Sequence, residues 1–161
     1  MSGLTALHLA VWHDNNEFVE KLLTIPGIIV DPISSLGYTP LLDAVYSGNA
    51  MILRMLHAAG ADMFALSRLG YLAINVAAYY GNLDAVKTLV ELGADIDGVS
   101  GFDEMDTPLI SAAVRDNSGV VAYLLRIGAD MDIQDAHNMT AMDYANEDVE
   151  QVLLYRETFG C

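Results

Sequence analysis

Apolar residues along this chain fall in short sets at three- and four-residue spacing, and a glycine follows most of these sets. Over residues 50–59, Ile52, Leu53, Met55 and Leu56 form the apolar stripe of a predicted helix, and Gly60 follows as its left-handed terminator. Upstream, Gly37 marks a tight turn and Thr39 offers a capping hydroxyl. Pro40 takes the first helical position, where a missing N–H costs nothing. A short helix through Leu41, Ala44 and Val45 follows, stopped by Gly48-Asn49. Residues 62–69 then read as a loop that crosses onward.

The plan repeats. Gly70 precedes a helix over 72–79, Gly81-Asn82 breaks it, and a second helix over 83–92 ends at Gly93. Thr107-Pro108 opens a helix to about Arg115. Asp116-Asn117 is a weaker break, and a helix over 118–127 ends at Gly128. The phrase Gly-Ala-Asp occurs at Gly60, Gly93 and Gly128. Out of phase with it run Thr5-Ala6-Leu7, Thr39-Pro40-Leu41, Leu72-Ala73-Ile74, Thr107-Pro108-Leu109 and Thr140-Ala141-Met142, whose first residues lie 34, 33, 35 and 33 apart. Such a period means one supersecondary unit stacked about five times. A stack of this kind offers a long surface and no single deep pocket. Helices this short are marginal alone and depend on their neighbours. Ala44, Ala77, Ala78, Ala112 and Ala113 allow the backbones to approach closely.

The run from Gly81 to Asp95, Gly-Asn-Leu-Asp-Ala-Val-Lys-Thr-Leu-Val-Glu-Leu-Gly-Ala-Asp, together with Gly-x-Thr-Pro-Leu, resembles the ankyrin repeat over nearly the whole chain. The resemblance implies an all-α solenoid of helix-turn-helix units with β-turn or hairpin tips and a concave face. Approximate units are 1–31, 32–64, 65–97, 98–132 and 133–161 in one domain, the last acting as cap. The helix over 147–157, with Val149, Val152 and Leu153 inward, supplies that cap. Departures from the pattern are local. The histidine after Thr-Pro-Leu survives only as His8, with Leu42, Asn75, Ile110 and Asp143 in its place. Leu72-Ala73 removes one hydroxyl cap, and the loop between Asp97 and Asp106 is two residues longer.

Binding in ankyrin repeats uses the tips and the exposed ends of the inner helices. Carried over, the inner-helix columns are Trp12, Tyr46, Tyr79, Val114 and His13, Ser47, Tyr80, Arg115. The tip column is Leu4, Tyr38, Tyr71, Asp106, Met139, with Arg68, Asp103 and Glu104 beside it. The expected partner-binding set is therefore Trp12, His13, Tyr38, Tyr46, Arg68, Tyr71, Tyr79, Tyr80, Asp103, Glu104, Asp106 and Arg115. The competing reading is that each aromatic packs against the next tip. Asp43, where an apolar residue is usual, is read as bonding a neighbouring turn, with the groove as the alternative.

Charge sharpens the partner. Seven Lys+Arg against 22 Asp+Glu leave 7 − 22 = −15, which repels nucleic acid and anionic lipid and attracts basic surfaces within a Debye length of about 8–10 Å. Solubility of a chain that is 53% hydrophobic is the plainer use of that charge. Lys21, Arg54, Lys87 and Arg126 fall on outer helices, and Asp103, Glu104 and Asp106 form an acidic wing at the tips. The expected partner is a protein with a basic and apolar surface, bound by a chain that is monomeric when free. The runner-up is an acidic immunity or inhibitor protein against a basic toxin or nuclease; an acidic mimic of nucleic acid ranks below it.

Catalysis, cofactors and metals are not expected. The four histidines share no spacing, and no phosphate loop, nucleophile elbow or Cys–His pair occurs. The acids from Asp130 to Asp135 lack the sixth-position glycine and twelfth-position acid of a calcium loop. Cys161 is the lone cysteine, so no internal disulfide forms, in keeping with a reducing, cytoplasmic setting. No signal peptide or membrane span is read, and Met1 with the capping helix suggests a complete chain.

Overall fold

A computed structural model describes residues 3–159; Met1, Ser2, Gly160 and Cys161 lie outside the described residues. Ten helices run through them: α1 (Ala6–Trp12), α2 (Asn16–Leu23), α3 (Pro40–Ser47), α4 (Ala50–Ala58), α5 (Ala73–Tyr79), α6 (Leu83–Glu91), α7 (Pro108–Ala113), α8 (Ser118–Arg126), α9 (Ala141–Tyr144) and α10 (Glu147–Phe159). The odd-numbered helices pack in sequence as an inner layer, and the even-numbered ones stack behind them as an outer layer.

The starts of the inner helices follow from their threonines. Thr39 Oγ1 accepts from the Leu42 N–H at 3.3 Å, and Thr107 Oγ1 from the Ile110 N–H at 3.2 Å. Thr5 and Thr140 form capping boxes with His8 and Asp143. α5 has no side-chain cap, as its Leu72 start predicts. The Ser100 hydroxyl instead accepts from the Leu72 N–H at 3.1 Å, so the donor is satisfied from the next unit.

The first four inner helices reverse into their outer helices through a left-handed residue. Gly48 (φ 76°) and Gly81 (φ 71°) hold that position in units two and three, and Asp14 (φ 49°) and Asp116 (φ 58°) in units one and four. Aspartate is among the few side chains that tolerate it. Between the layers, Leu41, Ile52, Leu53, Ile74, Leu89, Leu109 and Leu124 are wholly buried. Each contributes roughly 1.5–3 kcal/mol by leaving water. Truncating one, as in Leu89→Ala, would cost about 2–5 kcal/mol.

The tips share one closure. Backbone N–H groups of Ser34, Ser67 and Asp135 donate to the carbonyls of Tyr38, Tyr71 and Met139 at 3.0, 2.9 and 2.9 Å. In unit four the same bond runs from Ser100 to Asp106 at 3.0 Å, across the two extra residues. The lengthened tip folds back on the tip before it: Gly101 N–H donates to Gly70 C=O at 2.8 Å and Phe102 N–H to Leu69 C=O at 3.2 Å. Phe102 covers Gly70 so closely that a Cβ there would stand 2.7 Å from its ring. The described tips are turns rather than hairpins, with one isolated bridge between Ser100 and Asp106. α10 closes the stack on α8 and α9, with Val149 and Leu153 buried and Val152 half-buried.

Candidate functional site

The last residues of α1, α3 and α5 stand in solvent. Trp12 is 62% exposed, Tyr46 59%, Tyr80 46% and Tyr79 38%. Trp12 and Tyr46 are the most open of the four. Tyr38 and Tyr71 are half-buried against the core at the tips, as the packing reading anticipates.

The rings form a chain across units two and three. Tyr46 stands edge-on to Tyr80 with centroids 4.5 Å apart, and Tyr80 edge-on to Tyr79 at 5.2 Å. The Arg115 guanidinium lies 4.8 Å from the Tyr79 ring centre and ends the row at unit four. His13 is exposed one residue beyond Trp12. Arg68 is exposed at tip three, where its stem packs so near Gly37 that a Cβ there would meet it at 2.7 Å.

The backbone beneath these rings is pinned by asparagines that sequence reasoning took only for helix stops. Asn82 Nδ2 donates to the carbonyls of Val45 and Tyr46, both at 2.9 Å. Asn117 Nδ2 donates to those of Ala78 and Tyr79 at 2.8 and 2.9 Å. Each satisfies carbonyls left over at the end of the preceding inner helix and so fixes the residue that carries the ring. The signal was present in the sequence: Asn49, Asn82 and Asn117 recur at the repeat period.

Tip positions are cross-linked by a second device. His8 Nδ1 accepts from the Thr5 N–H at 3.2 Å, which leaves Nε2 to donate to the Tyr38 carbonyl at 3.0 Å. Asn75, in the matching place of unit three, donates to the Asp106 carbonyl at 2.8 Å. Asparagine thus performs the tip bond that histidine makes in unit one.

Two adjoining clefts open beside the rings. The larger, about 650 Å³, is lined by Trp12, Tyr38, Tyr46 and Tyr80 with Asp14 and Asp43. The smaller, about 210 Å³, lies between Tyr38, Tyr71, Tyr79 and Asn75. Asp43 therefore faces the groove, which corrects its reading as a partner of a neighbouring turn. Its Oδ2 is buried without a hydrogen-bond partner. Burial pushes this carboxyl above the usual range, opposed by His8.

The acidic tip is more engaged than a free wing. Glu104 reaches His137 of the next tip at 3.1 Å, while Asp103 stands exposed. Burial, then the charges of Asp135 and Glu104, push half-buried Asp106 up to about 6, against a smaller pull from His137. Asp135 is buried, which alone would raise it. Bonds from Tyr144 Oη at 2.6 Å and from the Met139 and His137 N–H groups outweigh that and hold it below the ordinary range.

The four lysine and arginine side chains expected on the outer helices do lie there and meet groups of their own surface. Lys21 pairs with Glu17, Arg54 with Glu91 and Lys87 with Asp84, and Arg126 lies over Tyr123. Among the described residues there is no group of three or more His, Cys, Asp or Glu able to hold a metal, and no helix long and apolar enough to cross a membrane.

A family model described as ankyrin repeats (3 copies) matches residues 1–67 and 74–158. Comparison with curated proteins returns no match.

Proposed function

For a chain that belongs to the ankyrin-repeat family, whose members are generally protein–protein interaction modules, we propose a non-enzymatic module that holds a partner protein on the concave face between Trp12 and Arg115. The observation that carries this reading is the set Trp12, Tyr46, Tyr80, Tyr79: large rings left in solvent, with the carbonyls of Tyr46 and Tyr79 held by Asn82 and Asn117. Tyrosine and tryptophan anchor interfaces because they bury much area at little entropic cost and keep a polar handle. Rigid rings lose little further freedom on binding.

The partner in this reading is basic and apolar, met by a monomer in the cytoplasm without nucleic acid or membrane. The net charge of −15 supports it, as does the body free of internal cysteine. The same charge supports the second reading, an acidic inhibitor of a basic toxin or nuclease, since opposite charge speeds association. A steep fall in association rate with salt favours the inhibitor; a flat response favours the adaptor.

Site-specific photocrosslinking tests the face itself. A photoreactive residue at Tyr46 is expected to form an adduct with the partner in extract of the native source, and one at Arg54, on the outer surface, none. Adducts from Arg54 alone would move the interface to the convex side.

A further inference from the structure

We propose that the cleft between Trp12, Tyr38, Tyr46 and Tyr80 receives the ammonium group of a lysine side chain carried by the partner, with Asp43 as its counter-ion. This rests on the concave-face reading and names the chemistry at its centre. Two acids, Asp14 and Asp43, and no lysine or arginine line the cleft. Asp14 already accepts from Asn49 Nδ2 at 3.2 Å, whereas Asp43 Oδ2 is buried with its acceptor capacity unused. His8 cannot serve it, because both ring nitrogens are committed, to Thr5 and to the Tyr38 carbonyl.

Electron-rich ring faces attract cations, and more strongly where water is displaced. The protein shows this chemistry next door, where Arg115 lies over Tyr79. Tyr46 and Tyr80 have no such guest among the cleft residues. An unbonded carboxylate oxygen asks for an N–H donor, so the ligand is an ammonium that keeps its hydrogens, not a quaternary one. Burial raises the Asp43 carboxyl, and an entering cation offsets that cost by favouring the ionised form.

Trp12 is the only tryptophan and sits on this cleft, so its fluorescence reports occupancy. The probes are blocked Ala-Lys-Ala tripeptides bearing lysine, trimethyllysine or uncharged norleucine, titrated to about 10 mM, in the range of weak affinity expected for so small a ligand. The lysine peptide is expected to saturate, with norleucine and trimethyllysine weaker by about tenfold or more. Asp43→Asn, near-isosteric and checked by circular dichroism, should weaken the lysine peptide about tenfold, and Asp14→Asn less than about twofold. Equal binding of norleucine, equal binding of trimethyllysine, an unchanged affinity in Asp43→Asn, or no saturable binding overturns the assignment. Crosslinking from Tyr46 would survive any of these, so loss of the ammonium site and loss of the concave-face reading are separately visible.

Discussion

The ring of Tyr46 stands edge-on to that of Tyr80, with centroids 4.5 Å apart and planes at 61°, although the two residues belong to different repeats. The contact couples units two and three at the surface proposed for a partner. Edge-to-face pairs contribute about 0.5–1.5 kcal/mol beyond their buried area, and these rings, both well exposed, belong at about 0.5 kcal/mol. A double-mutant cycle of Tyr46→Ala and Tyr80→Ala in urea unfolding should return that coupling. Strict additivity would mean the rings are neighbours without interaction.

Asn82 ties the Tyr46 carbonyl, and its variants should separate donor from bulk. Losing two hydrogen bonds, Asn82→Ala is expected to cost about 1–2 kcal/mol. Asn82→Asp keeps the volume but turns a carboxylate toward two carbonyls, so it should be the less stable of the two. The midpoint of urea denaturation gives the order; Asp equal to wild type would remove the stitch from the account.

Asp106 makes a pH prediction of unusual sign. Its folded pKa of about 6 lies above the ordinary 3.8, so the folded state binds more protons over that window. Its contribution to stability therefore falls as pH rises from about 4 through 6. Asp106→Asn should be more stable than wild type at neutral pH by on the order of 1 kcal/mol, after discounting for partial exposure. The gain should vanish near pH 4. A gain that grows on acidification contradicts this.

In the last unit, Tyr144 donates to buried Asp135 at 2.6 Å, and that bond, with burial, pushes the phenol up to about 12. Tyr144→Phe should cost about 1.5–3 kcal/mol, the range for a bond to a charged group. Because Asp135 is held below its ordinary range, its stabilisation is present above about pH 4 and lost as pH falls through the folded value. Hydrogen exchange should show the loss first in α9 and α10; protection there equal to wild type would refute the role.

Much of this architecture was legible because it rests on local rules. Thr39-Pro40, Gly48, Gly60 and the spacing of Ile52, Leu53 and Leu56 each act within one turn of helix, and the structure honours them. The ends of the inner helices come from the family pattern; Trp12 and Tyr46 line one cleft and Tyr79 the cleft beside it. What escaped were bonds between units. Asn82 and Asn117 look like breakers until the preceding repeat is folded against them. Asn75 looks like a lost histidine until the Asp106 carbonyl comes within reach. Asp43 reads as a turn partner until it is seen to line the cleft with its Oδ2 left unbonded.

The most direct test of the concave face is capture of partners from the native source by wild type and by a folded Trp12→Ala, Tyr46→Ala, Tyr79→Ala triple variant, compared side by side. A protein retained by wild type and lost from the variant is the expected result. Equal retention by both would contradict the account and send the interface to the acidic tips or the outer helices.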